Sequence, residues 1–248
     1  MPEQPLRVEE DHSTVLQEVW SDWIERNIKS GKTGNPDNIR RGDAVLRLLK
    51  SLNLSDPNIL DVGCANGWLC ADLACFGKVT GIDLADKAIT MARSLYPNLA
   101  FICGDFLALD VPTGRFDIVV SVDVIPYVNN QRAFLHKVAM VLKSRGYFII
   151  ICPNKFVWDR TLFTRQLEGK VPVRWLHMRD LKGLLSRHFV ALQSETVIPA
   201  GNRGMLRLIN SNKVQRAIET IIHREHIIKL KERVGLGKSL VVLAQKRN

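Results

Sequence analysis

Ile59-Leu60-Asp61-Val62-Gly63-Cys64-Ala65-Asn66-Gly67 decides how the rest of the chain reads. An apolar strand interrupted by one acid runs straight into a turn of small residues, and the helical pattern of Trp68 to Cys75 follows at once. Glycines at such a junction let the backbone turn sharply and come close to a ligand. The helix N-terminus behind them offers unpaired N–H donors. Outward from this turn the same grammar repeats. Strands are expected at Lys78–Ile82, ending at Asp83, at Ala100–Cys103, ending at Gly104-Asp105, at Phe116–Val122 and at Gly146–Cys152. Helices are expected over Asp86–Leu95, capped by Asp86, and over Gln131–Leu142, closed by the basic turn Lys143-Ser144-Arg145 and the stop Gly146. Such alternation means βαβ units and a parallel sheet. The strands are nearly all apolar, as they must be when helices cover both faces.

The flanks are less regular. Upstream, Val15 to Ile28 is amphipathic, with Val15, Val19, Trp20 and Trp23 near one face. A polar turn then leads to Asn35 as the cap and Pro36 as the first residue of a helix that carries Ile39, Ala44, Val45, Leu48 and Leu49. Downstream, a helix is expected over Asp180–His188 and strands over Val190–Val197 and Ser239–Gln245. Between those strands lies an amphipathic helix that Asn212 caps and Gly235 ends, with Val214, Ala217, Ile218, Ile221 and Ile222 on one face.

Composition bounds the answer. The 248 residues are 46% hydrophobic and 24% charged, which suits one α/β domain with a lid or insertion. No apolar run approaches the roughly 18 residues that span a bilayer. The acidic, polar start MPEQPLRVEEDHS does not read as a signal peptide, so a cytoplasmic setting is expected. Cys64, Cys70, Cys75, Cys103 and Cys152 form no C-x-x-C pair and no zinc spacing, so they are expected to be small core residues, with no metal site. The net charge is +10, and nearly all the excess lies after residue 154: residues 155–190 carry 8 basic and 3 acidic side chains, and residues 201–238 carry 9 and 3. What those segments face is expected to have anionic character, or the charge serves solubility.

Three acids, Asp61, Asp83 and Asp105, stand in or at the ends of three successive strands, where open α/β sheets bind ligands. A carboxylate at Asp83 can accept both hydroxyls of a ribose, and one at Asp105 can accept from an adenine amino group. A dinucleotide site wants G-x-G-x-x-G to seat a pyrophosphate. Here an acid stands two residues before Gly63, which repels a pyrophosphate and welcomes a cationic amino-acid tail. That disfavours NAD and FAD and favours S-adenosylmethionine.

Five pieces in order, ILDVGCANG (59–67), VTGIDLA (79–85), FICGDF (101–106), FDIVVSVDVI (116–125) and GYFIIICPN (146–154), together resemble the class I S-adenosylmethionine-dependent methyltransferases, in the style of those acting on small molecules. The resemblance implies a doubly wound Rossmann-like methyltransferase fold. Its sheet would be seven-stranded and mostly parallel, with the last strand antiparallel and with helical C-terminal lid insertions. It implies S-adenosylmethionine as cofactor and S-adenosylhomocysteine as product. Asp61, Gly63, Cys64, Ala65 and Gly67 would wrap the methionine part, Asp83 the ribose and Asp105 the adenine, with Leu84 and Phe106 flanking the ring. Ala65 stands where the family usually has its middle glycine. Ser121 and Arg40 complete the expected cofactor set, Arg40 or its neighbour Arg41 reaching the carboxylate. In this reading residues 1–50 are helices covering the cofactor site. Residues 51–248 are the core, with insertions at about 155–180 and 199–238.

Methyl transfer from a sulfonium needs alignment and exclusion of water, and an oxygen acceptor also needs a base. Asp123, Tyr127 and His177 are the candidates for the acceptor side, with Arg179 for an anionic group and Trp158 and Trp175 for an apolar wall. Many relatives have a histidine near the position of Pro126 or Tyr127, and this chain has none there. The expected activity is methylation of oxygen or nitrogen on a small or medium-sized metabolite of anionic or glycosidic character. An RNA methyltransferase ranks second, and a catalytically inactive cofactor-binding partner subunit third. The 212–234 helix is a lid or a homodimer element.

Overall fold

A computed structural model describes residues 12–29, 35–161, 173–201, 206 and 223–248. Seven strands form one sheet in the order β3-β2-β1-β4-β5-β7-β6. They are β1 (Asn58–Val62), β2 (Lys78–Asp83), β3 (Ala100–Cys103), β4 (Phe116–Val122), β5 (Leu142–Pro153), β6 (Phe189–Pro199) and β7 (Gly237–Lys246). Pairs β1–β2, β1–β4, β2–β3 and β4–β5 are parallel, and β7 runs antiparallel to both β5 and β6. The expected sheet, including its antiparallel last strand, is therefore present. The strand order reverses between β1 and β4, so the crevice beyond their carboxyl ends is the topological switch point where such sheets take ligands.

Two layers of helices bury the two faces. On one side α2 (Pro36–Ser51), α3 (Trp68–Leu73) and α4 (Asp86–Leu95) place Val45, Leu48, Leu69, Leu73 and Ile89 against Ile59, Ile118, Val120 and Ile149. On the other, α5 (Gln131–Val141) and α7 (Met178–Leu185) place Phe134, Val138, Leu181 and Leu185 against Leu60, Val119, Phe148 and Val242. Alternate residues of each strand thus enter opposite cores, as a period of two demands. The remaining described helices are α1 (His12–Lys29), the single turn α6 (Lys155–Trp158) and α8 (Arg224–Arg233).

Local chemistry explains most boundaries and corrects three. Asn35 Oδ1 accepts from the Asp37 N–H at 3.0 Å and Pro36 opens α2, as expected. Asp86 does not cap α4: Ala85 is the N-cap, and the Asp86 carboxylate instead accepts from the Ser21 hydroxyl of α1 at 2.9 Å. Helix α5 stops at Val141 without a basic last turn, because the amides of Gly114 and Arg115 take the carbonyls of Met140 and Val141. Lys143 to Gly146 then belong to β5, with Lys143 paired to Asp117 at 2.8 Å. Among the cysteines, Cys64, Cys70 and Cys152 are buried, but Cys75 is exposed and Cys103 only half-buried. Helix α3 ends at Leu73, two residues short of the expected end, which leaves Cys75 in a surface turn. Residues Asn212, Val214, Ala217, Ile218, Ile221 and Ile222 lie outside the described residues. Helix α8 has the non-helical His223 as its N-cap, so the single helix expected over 212–234 is interrupted there; only its end is as expected, with Gly235 at φ +86°.

Candidate active site

The turn after β1 is held in an unusual backbone shape. Gly63, Ala65 and Gly67 all have positive φ, at +81°, +48° and +78°. The N–H groups of Gly63 and Cys64 both donate to the Ile82 carbonyl, which ties the turn to β2. Gly63 is obligatory for a second reason: a Cβ there would overlap Val124 Cγ2, just past β4. Ala65 bears the cost of a left-handed conformation, about 1 kcal/mol for a residue with a Cβ.

Asp83 organises this edge. Its Oδ2 accepts from the Ala65 N–H at 2.8 Å and its Oδ1 from the Ala85 N–H at 2.9 Å. A carboxylate has about four lone-pair sites, so two such bonds fix its orientation and leave capacity for ribose hydroxyls. Burial raises its pKa, and the bonds from Ala85, Ala65 and Leu84 pull it back. Asp105 ends the next turn, with Oδ1 accepting from the Leu107 N–H at 2.8 Å.

Other expected cofactor residues sit differently from the reading above. Asp61 is 1% exposed and lies beneath the turn, its Oδ2 accepting from the Cys70 thiol at 3.3 Å. Burial lifts its carboxyl to about 7, against the Cys70 bond that lowers it, with the Asp83 charge adding to the rise. Cys64 is buried toward Gly81, so only its backbone belongs to the turn. Phe106 does not present its ring to the crevice. It is a core residue packed edge-on to Phe134 at 5.6 Å, because the turn at Asp105 points the next side chain inward. Leu84 is half-buried, its carbonyl accepting from the Cys103 thiol. Arg40 is exposed and ion-paired to Glu232 of α8 at 2.8 Å.

The β4 side of the crevice is built by residues far apart in sequence. Arg41, 8% exposed, donates from Nε to Ser239 at 3.1 Å and from its terminal nitrogen to Asn38 at 2.9 Å, and lies 3.4 Å from Asp123 Oδ2. Asp123 has φ +60°. Its Oδ1 and the Ser121 hydroxyl are shielded from solvent and find no hydrogen-bond partner among the described residues. Burial raises the Asp123 pKa, with Arg41 opposing. Tyr127, in a short 3-10 turn over Ile125–Tyr127, packs edge-on against Trp20 of α1 at 4.8 Å. Burial pushes its hydroxyl above the usual range, helped by Asp123. Trp20 of α1 and Ala65 of the turn both pack against Ala85 and Ala88 at the start of α4.

The segment before α7 closes the same edge. The Arg174 N–H donates to the Pro126 carbonyl at 2.8 Å and Leu176 bridges Asn154. His177 is therefore at the carboxyl edge, as the N-cap of α7, its backbone N–H donating to Asp180 at 3.2 Å. Trp158 and Trp175 stack with centroids 5.5 Å apart. Arg179 is exposed on the first turn of α7. Asn154, Asn38 and Ser239 escaped the sequence reading. Asn154 is 3% exposed and donates to the carbonyls of Gly235 and Gly237. A polar residue at a strand end carries no local signal for partners some eighty residues away.

The donor set fits an adenosyl cofactor. One carboxylate is aimed by two amides, a turn admits no side chain at Gly63, and two unpartnered polar atoms wait at the switch point. Comparisons with known proteins agree. A family model described as a methyltransferase domain matches residues 60–150. A probable S-adenosylmethionine-dependent methyltransferase of Mycobacterium tuberculosis is 26% identical over 125 residues, covering 50% of this chain and 43% of that protein. A ubiquinone biosynthesis O-methyltransferase of Rhodopseudomonas palustris is 35% identical over 115 residues, covering 44% and 45%. The chain thus spans under half the length of these relatives. The fold matches a Haloferax volcanii putative methyltransferase, solved in complex with the Trm112 methyltransferase activator, with TM-score 0.67 at 14% identity over 92% of this chain and 98% of that one.

The fold and the matched segment define a nucleotide-binding α/β domain of the methyltransferase type. Residues 60–150 match a methyltransferase domain, and the chain is similar to S-adenosylmethionine-dependent methyltransferases, which use S-adenosylmethionine as cofactor. Among the described residues no helix is long and apolar enough to cross a membrane.

Proposed function

We propose that the chain transfers the methyl group of S-adenosylmethionine to a hydroxyl oxygen, or to a nitrogen, of a small or medium-sized metabolite. The observation that carries this is the pairing of an Asp83-anchored turn with unpartnered polar atoms at the end of β4, on either side of one crevice. In this reading Asp83 holds the ribose and Asp105 the adenine amino group, and the backbone of Gly63 to Gly67 follows the methionine part. Asp61 supports that turn from below and answers a cationic ammonium electrostatically. Ser121 completes the cofactor side. Arg40 would have to exchange Glu232 for a cofactor carboxylate, which a surface ion pair permits at small cost.

When bound, the cofactor supplies an already activated methyl group. The protein's work is to align the acceptor and exclude water. Helix α1 does the excluding, with Trp20 against Tyr127, Ala85 and Ala88. Asp123, Tyr127 and His177 surround the acceptor, and the Trp158–Trp175 stack walls it. The name of the R. palustris relative supports oxygen as the acceptor atom.

Incubation with methyl-labelled donor and separate pools of metabolites and RNA tests this. Label in the metabolite pool supports the proposal. Label in RNA, with strong dependence on salt, transfers the role to the basic residues after 154. Cofactor binding without label anywhere makes the chain a partner subunit. Asp83→Ala should weaken S-adenosylhomocysteine binding by about tenfold to a hundredfold, the worth of hydrogen bonds to a charged group.

A further inference from the structure

Among the described residues, Asp123 is a strand-end carboxylate on the far side of the switch point. Asp83 ends β2 and Asp105 follows β3 by two residues, whereas Asp123 follows β4 directly, beside the Val124 that packs on Gly63. A cofactor held by Asp105, Asp83 and the turn at Gly63 would have Asp123 as the next carboxylate along the crevice. The residue has three further peculiarities. Its backbone is left-handed, which in a residue other than glycine is uncommon and costly. Its two oxygens are used unequally: Oδ2 faces Arg41, and Oδ1 is buried with no partner among the described residues. Arg41 is in turn fixed by Ser239 of β7 and Asn38 of α2. A buried acceptor atom left unmade costs about 1–3 kcal/mol. Such an atom persists where a ligand satisfies it.

We propose that Asp123 is the proton acceptor of the transfer, Arg41 holding Oδ2 while Oδ1 receives the proton of an acceptor hydroxyl or protonated amine. This rests on the function proposed above. A protonated amine first gives its proton to Asp123 Oδ1, which frees the nitrogen lone pair, whereas a hydroxyl gives its proton as the new bond forms; the heteroatom lone pair then bonds the methyl carbon, the carbon–sulfur pair departs on sulfur, and the proton later leaves Asp123 to water. The substrate class follows: the reacting group carries a removable proton, as a hydroxyl or ammonium does.

The charged surroundings of Asp123 set a sign. Arg41 and Asp37 face it from α2, Lys238 from β7, Tyr127 from the turn after β4 and Cys152 from β5. Lys238 is itself paired with Asp37. Burial keeps Asp123 protonated to higher pH than an exposed aspartate, and Arg41 opposes this. A cation arriving next to it drives the proton off. S-adenosylmethionine brings a sulfonium and S-adenosylhomocysteine a neutral thioether. They share every other charge.

The test is titration calorimetry of the full chain with each ligand, in two buffers of different ionisation heat, repeated across the pH range in which the protein stays folded. S-adenosylmethionine should expel more protons than S-adenosylhomocysteine. Asp123→Asn, which keeps the shape and tolerates a left-handed backbone, should abolish the difference while both ligands still bind. Arg41→Gln should move the pH of the largest difference upward, and this reads the same group if Asp123→Asn does not fold. Equal proton release from the two ligands in the natural chain overturns the inference, because Asp123 then faces the ammonium they share. So does a difference that survives Asp123→Asn and vanishes in Asp61→Asn. Failure of both ligands to bind instead overturns the proposed function.

Discussion

The two sides of the crevice are built on different plans. On the β1–β3 side, the acids lie within a residue or two of a strand end: Asp83 and Asp105 accept from backbone amides of the turns at that edge, and Asp61 from the Cys70 thiol of α3. On the β4–β7 side, Arg41 reaches across 198 positions of sequence to Ser239, and Asn154 across more than 80 to Gly237. The first side is a property of local turns repeated three times. The second exists only once the antiparallel β7 has been laid beside β5. In the function proposed above, the cofactor side is therefore built mainly from strand-end turns, while the acceptor side depends on the whole sheet.

The sharpest way to break the first side is Gly63→Ala. The added Cβ overlaps Val124 in a backbone at φ +81°, so overpacking and left-handed strain combine. We expect a loss of about 3–5 kcal/mol in thermal or urea unfolding, with cofactor binding lost alongside. A smaller change that leaves binding intact would mean the turn is softer than its hydrogen bonds imply.

The next effect concerns Asp61. Its carboxyl is held up to about 7 in the folded chain, against 3.8 when exposed. Between those values the folded state binds more protons than the unfolded one, so stability falls as pH rises through the window. Asp61→Asn should flatten that slope and stabilise the cofactor-free protein at alkaline pH by about 2–3 kcal/mol. Chemical denaturation at matched pH values measures it, and an unchanged slope would place the burden on Asp83 instead.

Arg41 and Arg40 are sequence neighbours with opposite fates, and comparing them sharpens the second side. Arg41→Ala removes a buried guanidinium that serves Ser239, Asn38 and Asp123, and should cost about 1–2 kcal/mol in unfolding experiments. Arg40→Ala, which loses a surface pair with Glu232, should stay within about 0.5 kcal/mol. Equal effects would show that the network around β7 is not the distinguishing feature.

The smallest expected effect is Ala65→Gly. It relieves a left-handed alanine at φ +48° but adds freedom to the unfolded chain. The two contributions are each about 1 kcal/mol or less and opposed, so the net change should lie within about 0.5 kcal/mol. This explains why an alanine is admissible at the middle position of the turn.

The strand–turn–helix order, the four strands β1 to β4, the start of α2 and the span of α4 were legible because each is written in a window of a few residues. Misreadings came where a distant partner took over. Asp86 looked like a cap until Ser21 of α1 claimed its carboxylate. Lys143 to Gly146 looked like a helix end until strand pairing with β4 and the Asp117 ion pair drew them into β5. Phe106 looked like a wall of the adenine site until Phe134 offered it a core.

By itself the sequence determined the alternating architecture, the glycine turn and the row of acids at successive strand ends, since hydrophobic period and turn chemistry act over short spans. Only the tertiary structure decided that Asp61 is buried beneath the turn, that Arg41 rather than Arg40 stands at the crevice, and that Asp123 keeps one oxygen unpartnered. The reason is physical. Burial and pairing are set by whatever the rest of the chain packs nearby, and no local pattern records which distant group that will be.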